Sequence, residues 1–167
     1  GTFIAAKPEW TLNVKDKDYK AGTANIVVKG GKFYQFDPAN NKSENPAISF
    51  VAEGYTSTLV GENYVVVKGT AAADTESFEA ALETAGVVTL VADVTTSETA
   101  NLLAGSTLDG GNNDLTIGGE LASYYTASTL RLVNTTGNAE IKNITIDGNN
   151  ASYAYNGGNY GIRGIFL

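Results

Sequence analysis

Short β-rich runs, separated by turn formers, dominate this chain. Val87-Val88-Thr89-Leu90-Val91-Ala92, Asp114-Leu115-Thr116-Ile117, Thr129-Leu130-Arg131-Leu132-Val133 and Glu140-Ile141-Lys142-Asn143-Ile144-Thr145-Ile146 are the clearest of them. Several place every second residue on one face, as a strand does when one side packs inside and the other meets water. With 19 Gly and 16 Asn among 167 residues, turns are supplied at short intervals, which favours sheet over helix. Phe50-Val51-Ala52-Glu53-Gly54-Tyr55 and Asn63-Tyr64-Val65-Val66-Val67-Lys68, on either side of Gly61-Glu62, predict a hairpin. One segment breaks the pattern. Asp74-Thr75-Glu76-Ser77 offers N-cap oxygen atoms, Phe78, Ala81, Leu82 and Ala85 follow at helical spacing, and Gly86 can terminate, so a short amphipathic helix is expected there.

Two internal repeats suggest how the strands are arranged. Gly1-Thr2-Phe3-Ile4 returns as Gly31-Lys32-Phe33-Tyr34, thirty residues on, close to one solenoid turn of three short strands and their corners. Thr107-Leu108-Asp109-Gly110-Gly111-Asn112-Asn113 is echoed 38 residues later by Thr145-Ile146-Asp147-Gly148-Asn149-Asn150, each copy reading as a strand that ends in a turn. The expected fold is therefore all-β: fragments of a right-handed parallel β-helix, a solenoid, with a cap hairpin and one short capping α-helix. The small, featureless run Gly69-Thr70-Ala71-Ala72-Ala73 marks the boundary between two modules. Residues 1–69 are expected to be the C-terminal rungs and cap of one module, and 70–167 the capping helix and first rungs of a second. The helix would cover the open strand edge of the first rung.

Thr23-Ala24-Asn25-Ile26-Val27-Val28-Lys29-Gly30-Gly31-Lys32-Phe33-Tyr34-Gln35-Phe36-Asp37-Pro38, followed by Phe50-Val51-Ala52-Glu53-Gly54-Tyr55, resembles the closing segment of pectin-lyase-like β-helix modules. Such modules occur in large surface proteins of gut bacteria and in fibre proteins of their phages. The helix, the strand at Val87–Ala92 and then Leu108-Asp109-Gly110-Gly111 resemble the opening of such a module. The resemblance implies an extracellular location, on a bacterial cell surface or a virion. It also implies a homotrimer if the chain belongs to a fibre. It leaves activity open, because that fold carries lyases, hydrolases, adhesins and fibre shafts.

Composition narrows the chemistry. The formal charge is -7, from 11 Lys+Arg against 18 Asp+Glu, and the two arginines are Arg131 and Arg163. No basic stripe is available to follow a phosphate backbone, so nucleic acid is not an expected partner. Cys, His and Met are absent, which removes thiolate and imidazole metal ligands, His-dependent nucleophile systems and disulfides. Without Met the chain also lacks its own start residue, and it is expected to be a window of a longer protein. No run approaches the ~18 apolar residues that a bilayer span needs.

Carboxylates, amides, hydroxyls and tyrosines are what remain for function. Asp109, Asp114 and Asp147 are the obvious acids, but Asp109 and Asp147 sit in Asp-Gly pairs, where the carboxylate commonly bonds nearby backbone N–H groups. Gly110-Gly111-Asn112-Asn113-Asp114 is faintly similar to a calcium-binding nonapeptide but occurs without its regular register. Glu53, Glu62, Glu76, Glu79 and Glu83 read as solvated charges, and the four Asn-x-Ser/Thr matches as chance in an Asn- and Thr-rich chain. No catalytic residue, metal or cofactor is expected. Tyr124, Tyr125, Tyr153, Tyr155 and Tyr160 fall in two loop-like segments, and aromatic faces on a rigid scaffold suit stacking on sugar rings or anchoring a protein. The expected function is a non-catalytic structural or adhesive segment that displays loops to a glycan or a host-surface protein. The competing expectation is the N-terminal part of a polysaccharide lyase or glycoside hydrolase whose active rungs lie outside this window.

Overall fold

A two-residue turn organises the first part of the chain. In the computed structural model, which describes residues 1–42, 46–96, 98–117, 131–149 and the strands Ser152–Tyr155, Gly158–Gly161 and Arg163–Phe166, the chain divides into two units, Gly1–Gly69 and Thr70–Leu167. The first unit contains β1 (Thr2–Phe3), a single 3-10 turn (Pro8–Trp10), α1 (Asp16–Lys20), β2 (Gly31–Tyr34), β3 (Tyr55–Val60) and β4 (Asn63–Lys68). Gly61 has φ +60° at the first position of the loop between β3 and β4, where a glycine lets the turn follow the strands' own twist. A loop this short can only return the chain antiparallel. β4 therefore pairs antiparallel with β3 on one side and with β2 on the other, and β1 adds to β2 in parallel.

The thirty-residue repeat is visible in that last pairing, where Thr2 faces Lys32 and Phe3 faces Phe33. The Phe3 and Phe33 rings stack with centroids 4.8 Å apart and planes within 9°, a contact worth about 0.5–1.5 kcal/mol beyond its area. Phe33, Phe36, Phe50, Val14, Val28 and Val66 form this unit's core. At ~1.5–3 kcal/mol for each large apolar side chain fully removed from water, that cluster is the main favourable term holding so small a sheet.

The second unit begins with β5 (Thr70–Ala72) and α2 (Thr75–Leu82), followed by β6 (Val87–Leu90), β7 (Val94–Thr96), β8 (Ala100–Leu102), β9 (Thr107–Ile117), β10 (Arg131–Thr135) and β11 (Glu140–Asp147). β12 (Ser152–Tyr155), β13 (Gly158–Gly161) and β14 (Arg163–Phe166) complete it. One sheet runs in the order β11-β9-β6-β5, all parallel, with β7 also paired in parallel to the far half of β9. A second, β14-β10-β8, is parallel as well, and β12 and β13 form a separate antiparallel pair. Phe78 and Ala81 of α2 pack with Val88, Leu90, Val94, Leu102, Leu108, Leu115 and Val133 in one core.

These sheets correct the expected architecture. Strand accounts for 43% and helix for 12%, but the sheets are small and open, mixed in the first unit, and among the described residues none closes or coils into a solenoid. The described residues do not show the expected right-handed parallel β-helix. In the first unit the Gly61-Glu62 turn reverses strand direction, so pairing ends at β3 and is not handed on to a further coil. In the second, β6 and β7 both line up along the single long strand β9, so a segment that a solenoid would carry round a corner stays in one sheet. The roles of solenoid cap given to the hairpin and to α2 fall with it. α2 instead contributes side chains to the core of its own unit.

The second repeat is also corrected. Gly110-Gly111 is not a turn but lies inside β9, where backbone from both neighbours crowds it: a Cβ on Gly110 would collide with the Asn143 carbonyl and Ile144, and one on Gly111 would meet the Leu90 carbonyl at 2.6 Å. The register then pairs Thr107, Leu108 and Asp109 with Glu140, Ile141 and Lys142, an offset of 33 residues in place of 38. α1 and the 3-10 turn were not foreseen, and α2 stops at Leu82, which leaves Ala85 outside it and exposed. No helix among the described residues is long and apolar enough to cross a membrane.

α2 starts where its sequence says it should. Asp74 Oδ1 accepts from Ser77 N at 2.9 Å and Ser77 Oγ at 2.6 Å, and Ser77 Oγ accepts in return from Asp74 N at 3.1 Å and Ala73 N at 3.0 Å, a reciprocal capping box. The Ser77 side chain and then its backbone N–H hold the Asp74 carboxyl below its ordinary value of 3.8. A depressed carboxylate adds stability that is fully present above the unfolded pKa and disappears as pH falls through the folded one. Thermal unfolding followed from pH 6 downward should therefore show an acid-side loss below about pH 4, part of which vanishes in Asp74→Asn, whereas identical acid limbs in the two proteins would contradict the cap's role.

Candidate functional site

Asp109, Asn113 and Asn143 lie where β9 bulges between β6 and β11. Asn112 (φ +68°) and Asn143 (φ +51°) adopt left-handed backbone, which Asn tolerates better than most residues, and the β9–β11 register slips between Lys142 and Ile144. At this irregularity side chains replace ladder hydrogen bonds. Asp109 Oδ1 accepts from Gly111 N at 3.0 Å and from Asn143 Nδ2 at 3.0 Å, which ties β9 to β11. Asn113 Nδ2 donates to the Leu90 and Gly110 carbonyls, both at 3.0 Å, and so reaches the end of β6. Asp93 Oδ1 accepts from Asp114 N at 2.9 Å, and Asp147 Oδ1 accepts from Asn149 N at 2.8 Å.

The candidate acids are thus distributed, not assembled. Asp109 stands opposite Lys142 in the register, Asp114 opposite Thr145 and Asp147 opposite Thr116, so no two of the three face each other across the sheet. Among the described residues no group of three or more Asp or Glu lies close enough to hold a metal ion. Lys142 Nζ sits 3.1 Å from Glu140 Oε2, but both side chains are largely exposed and the pair contributes little.

The tyrosines divide. Tyr124 and Tyr125 lie outside the described residues. Tyr153, Tyr155 and Tyr160 are not in loops: Tyr153 and Tyr155 belong to β12 and Tyr160 to β13, with Tyr153 directly opposite Tyr160 and Tyr155 opposite Gly158. The segment that lengthens the repeat is therefore a β-ribbon that places three of the five tyrosines on two paired strands.

Two concave surfaces were not legible in the sequence. In the first unit a cleft of about 420 Å³ is lined by Glu9, Gln35, Asp37, Asn40, Lys42 and Tyr64, among others. Gln35 has φ +50°, is held by its N–H to the Glu62 carbonyl at 2.9 Å, and donates from Nε2 to Glu62 Oε1 at 3.1 Å. In the second unit a groove of about 250 Å³ runs between α2 and the β7–β8 segment. No spacing rule could have signalled either, because each is built from elements distant in sequence and brought together by sheet register. No protein family, curated protein or solved structure matches the chain.

If Asp109 and Asn143 work as a strand-to-strand tie, their contributions to stability must be coupled. A cycle of Asp109→Ala, Asn143→Gly and the double variant, read by urea unfolding, should give a coupling of roughly 0.5–1.5 kcal/mol, the glycine being chosen because it keeps the left-handed backbone. Simple additivity would show that the two side chains do not act on each other.

Proposed function

We propose that this chain is a non-catalytic structural segment of a larger extracellular protein, on a bacterial surface or in a phage fibre, and that it presents binding surface to a glycan or a protein partner. The observation that carries this reading is the use made of the Asp and Asn side chains around the β9 bulge. Asp109, Asn113 and Asn143 are spent on joining β9 to its neighbours. A carboxylate already accepting two hydrogen bonds from its own scaffold serves stiffness better than proton transfer. Stiffness suits display, because a rigid scaffold presents aromatic or polar contacts at low entropic cost. The ribbon carrying Tyr153, Tyr155 and Tyr160 is the leading candidate for the presented surface.

The decisive comparison is retention against turnover. Labelled chain applied to immobilised neutral and acidic polysaccharides, and to host-surface protein preparations, should be retained on at least one of them without release of oligosaccharides or unsaturated uronates. Tyr→Ala changes at Tyr124, Tyr125, Tyr153, Tyr155 or Tyr160 should weaken that retention several-fold, in line with ~0.5–1.5 kcal/mol per aromatic contact. Product release would establish the enzyme reading instead, and retention on no surface would remove the adhesive one.

A further inference from the structure

The groove in the second unit has a charge pattern that specifies its occupant. Leu82 and Leu103 are half-buried and supply an apolar floor over the fully buried Phe78, while Glu79, Glu83 and Glu98 are exposed along its margin. None of its lining residues is a lysine or arginine.

The carboxylates are placed against the helix's own electrostatics. Glu79 of α2 and Glu83 at its C-cap stand four residues apart, a spacing at which like charges repel. Glu83 is the C-cap residue, beside the carbonyl end of the helix, where a negative charge is disfavoured, and no basic residue occupies the last turn to offset it. Glu79 is also held in place, because Thr96 Oγ1, on a residue only 2% exposed, donates to Glu79 Oε1 at 3.2 Å. Negative potential thus lies along the margin of an apolar groove, contributed from both walls with Glu79 held in place, and a cation lying there would relieve part of the repulsion.

The shape decides which cation. Among the described residues no three acids converge closely enough for a metal ion, so the charge is spread along the groove and not focused at a point. An occupant must offer methylenes to Leu82 and Leu103 and a positive head to the margin, which describes the stem and head of a basic side chain. We propose that this groove binds a lysine or arginine side chain carried by an extended segment of a partner protein. This goes beyond the display role, since it assigns a specific docking site to a different part of the second unit.

The test uses the whole chain and a short fluorescent peptide of alanine and serine with one central lysine, beside versions carrying arginine, norleucine or glutamate at that position. Fluorescence anisotropy should show binding of the lysine and arginine peptides at least about ten-fold tighter than the norleucine peptide, with none for the glutamate one, and a loss of affinity on raising salt from ~0.05 to ~0.5 M. Glu79→Gln, Glu83→Gln and Glu98→Gln should each weaken binding about three-fold or more, and Glu53→Gln in the first unit should leave it unchanged. Because the amides remove repulsion, the variants should melt no lower than the parent, so loss of binding will not reflect loss of fold. Equal binding of lysine and norleucine peptides, no binding of either, or glutamine variants that bind like the parent would each overturn the proposal. A chain that captures the lysine peptide but no glycan or host protein would overturn only the display role.

Discussion

Everything in the second unit depends on how closely backbone can approach the middle of β9. Gly110 and Gly111 leave no side chain where the Asn143 carbonyl, Ile144 and the Leu90 carbonyl need to be, so β9 can be flanked on both sides while changing register. Were either position wider, the strands beside it would have to part, and the apolar contacts among Leu90, Leu108, Leu115 and Val88 would open with them. The polar ties by Asp109, Asn113 and Asn143 are the consequence of the bulge that this approach creates, since the interrupted ladder leaves donors and acceptors that must be met locally.

Much of the local structure was legible because it is set by chemistry between near neighbours. Asp74 and Ser77 define the start of α2 through bonds three residues apart, and Gly61 defines the β3–β4 turn through its backbone freedom, although the strand before it is Tyr55–Val60 and not the expected Phe50–Tyr55. The repeat of Phe3 at Phe33 reported a true parallel pairing, because an aromatic that stacks on its equivalent requires equal spacing on both strands. The larger assembly was not legible in the same way. An Asp-Gly-Gly-Asn string has the composition of a turn, and only the facing carbonyls of Leu90 and Asn143 reveal that its glycines are needed for closeness and not for reversal. Likewise, whether parallel strands coil into a solenoid or end in small open sheets depends on what lies at each edge, which periodicity along one strand does not encode.

The same distinction separates the functional residues. Asp109 and Asp147 carry turn-type carboxylate bonding, as their Asp-Gly context predicts. Tyr153, Tyr155 and Tyr160 were picked out by composition as loop residues and lie in a paired ribbon, a firmer mounting than a loop. Glu79 and Glu83, which look in the sequence like ordinary surface charges, acquire meaning only when Glu98, Leu103 and the end of α2 are placed beside them. A picture follows of a scaffold whose internal acids and amides hold strands together.

The central claim, that β9 is paired in parallel on both edges around its glycine pair, is tested most directly by cross-strand NMR distances in the isotopically labelled chain. Parallel-type contacts should link Leu108 to both Val88 and Ile141, and Leu115 to both Val94 and Ile146, all with strongly protected amides. Antiparallel contact patterns for β9, or rapid amide exchange along it, would contradict the account.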